Sequence, residues 1–81
     1  MSRKARTDED DKRLRALGLA ISSLRKETGT SQEALAHQAN VDRSHMGKIE
    51  RGERNVTALN LFRFADALGV RPSAIFEAAD L

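Results

Sequence analysis

Hydrophobic residues recur at helical spacing in the first third of the chain. They are three or four residues apart, which places them on one face of an amphipathic helix. Acidic residues at 8–11 precede them, where the helix dipole favours negative charge, and Thr7 is a suitable N-cap. Because Gly29 is typical of the position after a helix, we expect helix 1 to end near residue 28. Its core face consists of Leu14, Leu17, Ile21 and Leu24.

Residues 31–51 contain two short apolar stripes with a turn between them. The turn begins at Asn40, a residue type that tolerates the left-handed conformation ending a helix. Asp42 can then cap the following helix, while Thr30 or Ser31 can cap the preceding one. Two short helices joined by a tight turn form a helix-turn-helix. The apolar positions are Leu35, Ala36 and Ala39 in the first stripe and Met46 and Ile49 in the second.

Residues 57–81 contain two further apolar segments. Thr57 can cap a fourth helix, Gly69 can end it, and Pro72 suits the first position of a fifth helix. The apolar residues cover more of the helix circumference than one small core needs, which suggests self-association. The alternative is a core that accommodates all of them within one chain.

The second helix of the helix-turn-helix has an apolar side, formed by Met46 and Ile49, and an outer side with cations and small residues. Glu50 and Glu53 are nearby in sequence, but the outer side itself has no carboxylate. Such a face suits the major groove of DNA; the alternative is an ordinary solvated basic face. Gly47 either lets the backbone approach the groove wall or relieves packing. The outer side consists of Arg43, Ser44, Gly47, Lys48 and Arg51.

Three residues of this face are predicted to contact bases. Arg43 is in the first turn, where side chains enter the groove most deeply, and its planar guanidinium matches guanine O6 and N7. Ser44 and Lys48 are four residues apart and can reach neighbouring bases. We assign His45 and Arg51 to phosphate contacts.

The sequence resembles the phage-repressor (Cro/C1, or XRE) family of helix-turn-helix proteins over about residues 14–76. Within it, the chain is most similar to the controller proteins of restriction–modification systems, which are small dimeric regulators. The resemblance implies an all-α fold, a compact five-helix domain with a helix-turn-helix formed by helices 2 and 3. It rests on Ser31-Gln32-Glu33 with Leu35-Ala36, on Val41 to Met46, and on Ile49 to Thr57.

This resemblance implies further roles, and the surplus of apolar residues at 57–81 supports the last of them. The family uses the equivalent of Gln32 to hold a phosphate, and the loop with Arg54 and Asn55 runs along the DNA backbone. An arginine equivalent to Arg25 pairs with the glutamate equivalent to Glu50, as a structural ion pair. The family dimerises through the region that corresponds to residues 57–81. The expected interface residues are Leu61, Phe64, Ile75 and Leu81.

Length and composition exclude several classes of protein. The 81 residues suffice for one domain at 8–81, preceded by a flexible basic tail at 1–7. The alternative role for the tail is an arm that reaches DNA. The chain has no cysteine and only two histidines, so we expect no metal and no cofactor. Without an apolar run of membrane length, a signal peptide or a sensing domain, we expect a cytoplasmic protein with no membrane and no small-molecule partner.

These observations predict a sequence-specific transcriptional regulator that binds double-stranded DNA as a homodimer. Its two recognition helices would enter the major groove about 34 Å apart on a pseudo-palindromic operator. The alternative is an antitoxin-like or other protein-interaction module with the same fold. An enzyme finds no support, because the sequence offers no nucleophile with a base and orienting group and no phosphate-cradling glycine loop.

Overall fold

The computed structural model describes residues 5–81 of the chain. The all-α architecture and a helix-turn-helix formed by the second and third helices are confirmed. Residues 1–4, with Arg3 and Lys4 of the predicted tail, lie outside the described residues. None of the described helices is long and apolar enough to cross a membrane. The five helices are α1 (Asp8–Glu27), α2 (Gln32–Gln38), α3 (Arg43–Glu50), α4 (Ala58–Leu68) and α5 (Pro72–Ala78).

Side-chain caps fix the first residues of α1 and α4. The Thr7 hydroxyl accepts a hydrogen bond from the Asp10 amide at 3.1 Å, and the Thr7 amide donates to the Asp10 carboxylate at 3.0 Å. This capping box, chiefly through the Thr7 amide, holds the pKa of the Asp10 carboxyl below its ordinary value. At α4 the Thr57 hydroxyl accepts from the Asn60 amide at 3.1 Å. Both predicted N-caps are therefore confirmed.

Of the caps predicted for the helix-turn-helix, one is confirmed and one is not. Ser31, and not Thr30, caps α2, because its hydroxyl accepts from the Ala34 amide at 3.0 Å. Asp42 occupies the N-cap position of α3, but its side chain makes no capping hydrogen bond, so its predicted role was wrong. Asn40 has a φ of 57°, which is the left-handed turn conformation expected there.

The hydrophobic core combines side chains from all five helices. Phe64 and Ile75 belong to it and are completely inaccessible to solvent within one chain. Side chains without exposed surface cannot contact a second chain, so their assignment to the dimer interface was wrong. Burying a side chain of this size contributes about 1.5–3 kcal/mol, which explains why the core includes them. The largest fully buried side chains are Phe64, Ile21, Leu35, Met46, Ile49 and Ile75.

Two glycines allow α1 to pack directly against α3 and against the residue that follows α3. A Cβ at Gly18 would press against the carbonyl oxygen of Ile49 and lie 2.6 Å from that of Glu50. Gly52, with a φ of +75°, ends α3, and a Cβ there would lie 2.7 Å from Arg15 Cα. Because backbone atoms cannot move aside as a flexible side chain does, these contacts require glycine. They fix the position of α3 relative to α1.

Candidate nucleic-acid interface

The outer side of α3 and the start of α2 together form a shallow, solvent-open depression of about 440 Å³. The three predicted base-contact residues line it, and two predicted phosphate-contact residues lie at the same surface. Arg43 and Ser44 are exposed, and Lys48 is half-buried. The fold therefore brings together residues from two helices into one cationic surface, which we call the recognition face. It consists of Gln32, Arg43, Ser44, Gly47, Lys48 and Arg51.

Three other predicted phosphate-contact residues do not line this depression. His45 is half-buried on α3 beside the recognition face. Arg54 and Asn55 are exposed in the segment between α3 and α4. Both side chains are therefore accessible to solvent.

A buried ion pair connects α1 to the recognition face. Arg25 donates from Nε to Glu50 Oε2 at 2.7 Å and from Nη2 to Oε1 at 3.1 Å. The two side chains are only 11% and 6% exposed, and Arg25 Nη1 also donates to the Thr30 carbonyl at 3.0 Å. The ion pair that the resemblance implied is thus present and joins α1, α3 and the start of α2.

Glu50 also orients the side chain of Gln32. Gln32 Nε2 donates to Glu50 Oε1 at 2.9 Å, a contact that sequence reasoning missed. Because a side-chain amide nitrogen carries two hydrogens, one remains for another acceptor. Gln32 is therefore held in one orientation at the edge of the recognition face, with a donor to spare.

Arg51 is paired within the chain as well. Its Nε donates to Glu53 Oε2 at 2.8 Å and its Nη2 approaches Oε1 at 3.5 Å. The hydrogen bond from Arg51 lowers the pKa of the Glu53 carboxyl, and Lys48 and Arg54 contribute to this shift through their charges. The outer side of α3 itself has no carboxylate among the residues that line the depression, as expected from sequence, but Glu53 in the following segment pairs with one of its cations.

Gly47 makes room for the Arg51 side chain. A Cβ at Gly47 would lie 3.1 Å from Arg51 Nη1 and 3.6 Å from Gln32 Oε1. The first distance is shorter than an ordinary packing distance and the second is within the ordinary range. Gly47 itself is buried. These distances support the relief of packing as a role for Gly47. The approach of its backbone to the wall of a DNA groove stays a prediction.

The segment after α3 is attached to the start of α1. Arg6 forms an ion pair with Asp11 at 2.9 Å and donates from Nη1 to the carbonyl of Glu53 at 3.4 Å. Arg6, which belongs to the tail predicted at 1–7, is therefore bonded to two residues of the described chain. Arg6 and Asn55 line the same small depression of about 290 Å³.

Large apolar side chains are also exposed on α4, on α5 and at Leu81. Leu59 and Phe62 are 55% and 54% exposed, and Phe76 and Leu81 are 38% and 55% exposed. Of these, only Leu81 was among the predicted interface residues; Leu61 is half-buried against the core. The helical positions could have identified Leu59 and Phe62, because both lie opposite the core-facing stripe of α4.

Among residues 5–81, no group of three or more histidine, cysteine, aspartate or glutamate side chains could hold a metal ion.

Comparison with known proteins identifies a matching helix-turn-helix family and similar chains. A family model described as helix-turn-helix matches residues 21–75. The control protein C.MunI from Mycoplasma sp is 42% identical over 60 residues, which cover 73% of this chain and 81% of that protein.

Solved structures agree with this match. The restriction–modification controller protein C.AhdI from Aeromonas hydrophila superimposes with a TM-score of 0.76 at 41% identity, over 78% of this chain and 96% of that one. The clp gene regulator ClgR from Corynebacterium glutamicum superimposes with a TM-score of 0.82 at 28% identity, over 84% of this chain and 72% of that one.

Proposed function

Since the chain belongs to the Cro/C1-type (XRE) helix-turn-helix family of DNA-binding regulators, we propose that it recognises a specific duplex DNA sequence and regulates transcription from it. The observation that carries this proposal is the recognition face, where base-contacting and phosphate-contacting residue types converge from α2 and α3. A helix fits the major groove when its exposed side combines long cationic side chains with small residues.

In this proposal, Arg43, Ser44 and Lys48 contact base edges. Arg43 is exposed at the start of α3 and pairs with a guanine through two parallel hydrogen bonds. Gln32, oriented by Glu50, donates its remaining amide hydrogen to a phosphate oxygen.

The other phosphate contacts come from the flanks of the recognition face. Arg54 and Asn55 are exposed in the segment after α3 and extend the contacts along the DNA backbone. His45, beside the recognition face, and Arg51, within it, complete the set of phosphate contacts. Phosphate contacts of this kind fix the register of the protein on DNA and do not select the sequence.

The regulatory role follows from the relatives. C.MunI and C.AhdI are controllers, the latter of a restriction–modification system. We propose the same role here, with the concentration of the chain as the input that sets occupancy of its own operator.

We propose a homodimer that binds a pseudo-palindromic site. The support is the exposed apolar surface of α4 and α5, because burying such surface yields about 25 cal/mol per Å². The symmetric arrangement would place the two copies of α3 about 34 Å apart, in successive major grooves.

Replacing Phe62 with aspartate should convert the protein from dimer to monomer. A carboxylate in the centre of an apolar interface loses its hydration without a partner, which strongly opposes association. Sedimentation at tens of micromolar, at the same concentration for each variant, is the measurement. Leu19→Asp is the matched control, because Leu19 is 66% exposed on α1 and belongs to neither α4 nor α5. This variant should remain dimeric. A wild-type chain that sediments as a monomer would rule out the dimer.

The experiment that tests the proposed function is selection of bound sequences from a random duplex library. We expect enrichment of an inverted repeat with a guanine in each half-site. Titration of the selected duplex and of random duplex at several salt concentrations should then give a steep salt dependence for both. Absence of any enrichment would contradict sequence-specific binding.

A further inference from the structure

Arg51 and Glu53 form a closed ion pair at the edge of the recognition face. Arg51 uses its Nε and Nη2 hydrogens on the two oxygens of Glu53, at 2.8 and 3.5 Å. Both side chains are more than half exposed, at 59% and 53%, so the pair is accessible from solvent and from bound DNA. The two opposite charges cancel, and in this state Arg51 adds no net positive charge to the recognition face.

The position of this pair is determined by its surroundings. The guanidinium lies over Gly47, whose missing side chain leaves the space for it. Glu53 is also attracted by Lys48 and Arg54, so its negative charge stays compensated when Arg51 departs. Exposed ion pairs of this kind contribute little to stability, which makes exchange of one partner for another inexpensive.

We propose that Glu53 competes with DNA phosphate for Arg51 and thereby raises the sequence selectivity of the recognition face. On random DNA, Arg51 remains on Glu53. On the specific site, the base contacts fix the backbone close to α3, and Arg51 exchanges Glu53 for a phosphate oxygen. This inference rests on the proposed DNA-binding function and assigns a selectivity role to a carboxylate that contacts no base.

The physical reason is a difference in distance. In a loosely held complex the phosphates are hydrated and mobile, and their attraction is screened over about 10 Å at 0.1 M salt. Glu53 is two residues from Arg51 in the chain, and its carboxylate is 2.8 Å from Arg51 Nε. Only a phosphate held at a defined position by other contacts competes with it effectively.

Glu53→Gln tests the proposal, because glutamine keeps the shape but loses the charge. On random duplex, Arg51 then becomes an additional phosphate contact, and the slope of log affinity against log salt should steepen by about one unit. This corresponds to about 3.5-fold more affinity lost between about 50 and 200 mM salt than for wild type. On the selected duplex the slope should stay unchanged, so the ratio of specific to random affinity falls.

Two further variants separate the contributions. Arg51→Gln should reduce the slope on the selected duplex by about one unit and leave the slope on random duplex unchanged. The double variant should behave as Arg51→Gln on both duplexes. Glu77→Gln is the matched control, because Glu77 is an exposed carboxylate on α5, which packs on α1 and α4. It reproduces the change in net charge without touching the pair.

The outcomes are distinguishable. If Glu53→Gln steepens the slope on random duplex no more than Glu77→Gln does, while wild type binds both duplexes, the competition does not exist and the proposed function stands. If wild type binds neither duplex, the proposed function fails and the inference fails with it.

Discussion

Replacing Gly18 with alanine should lower the free energy of unfolding by about 3 kcal/mol, near the upper end of what overpacking a core usually costs. The same substitution in the middle of an open helix stabilises it by about 0.5–1 kcal/mol. The expected result is therefore opposite in sign to the helix preference of the two residues.

The reason is a backbone contact between α1 and α3. An added Cβ at Gly18 would meet the carbonyl oxygens of Ile49 and Glu50, the latter at 2.6 Å. Neither oxygen can rotate away, so the two helices must separate. Separation would also disturb the neighbouring Arg25–Glu50 pair and the orientation of Gln32, so affinity for the selected duplex should fall as well.

Equilibrium denaturation at a fixed chain concentration is the appropriate measurement, because the proposed dimerisation would make stability concentration-dependent. Gly69→Ala is the matched control. Gly69 has a φ of +70° but no atom within 4 Å of an added Cβ. Alanine there should lower the free energy of unfolding only by the backbone strain of a left-handed residue, about 1–2 kcal/mol. Gly18→Ala that is as stable as wild type would show that the helices do not approach as described.

Much of the fold could be predicted because it depends on local chemistry. The caps at Thr7 and Thr57 and the left-handed turn at Asn40 follow from residue types at single positions. The close contact at Gly18 could not, because it depends on the angle between α1 and α3. From sequence, Gly18 is only a small residue beside the apolar stripe.

The predicted interface residues show that apolar character alone does not identify which side chains are exposed. Phe64 and Ile75 are apolar and central in their helices, yet both face the core. Counting apolar residues correctly indicated a surplus on α4, but helical angle decides which of them is exposed. At 100° per residue, Phe62 lies on the opposite side from Phe64 and Leu68.

The recognition face could be predicted in its composition but not in its connections. Arg43, Ser44 and Lys48 share one side of a helix by spacing alone. The contacts of Gln32 with Glu50 and of Arg51 with Glu53 depend on side-chain conformations that sequence does not determine. They matter because they decide which donors remain for DNA.

Replacing Arg43 with alanine should weaken binding to the selected duplex by about 1–3 kcal/mol and relax the preference at one base pair. Arg43 is exposed in the first turn of α3, where a guanidinium reaches guanine O6 and N7 together. Its loss removes two hydrogen bonds that only guanine accepts together, so affinity for the selected duplex should fall more than affinity for random duplex. No cavity is created, since the side chain lies outside the core.

Arg54→Ala is the matched control for Arg43→Ala. It removes the same charge from an exposed position in the segment after α3. It should weaken the selected and random duplexes about equally and reduce the salt slope by about one unit.

The most direct test of sequence selection by the outer side of α3 is the ratio of affinities for the selected and random duplexes. This ratio is compared between wild type and Arg43→Ala under the same salt conditions. If Arg43 contacts a base, a loss of about 1 kcal/mol or more lowers this ratio about fivefold or more in Arg43→Ala, and the ratio in Arg54→Ala stays unchanged. An unchanged ratio in Arg43→Ala would show that the outer side of α3 does not select the DNA sequence.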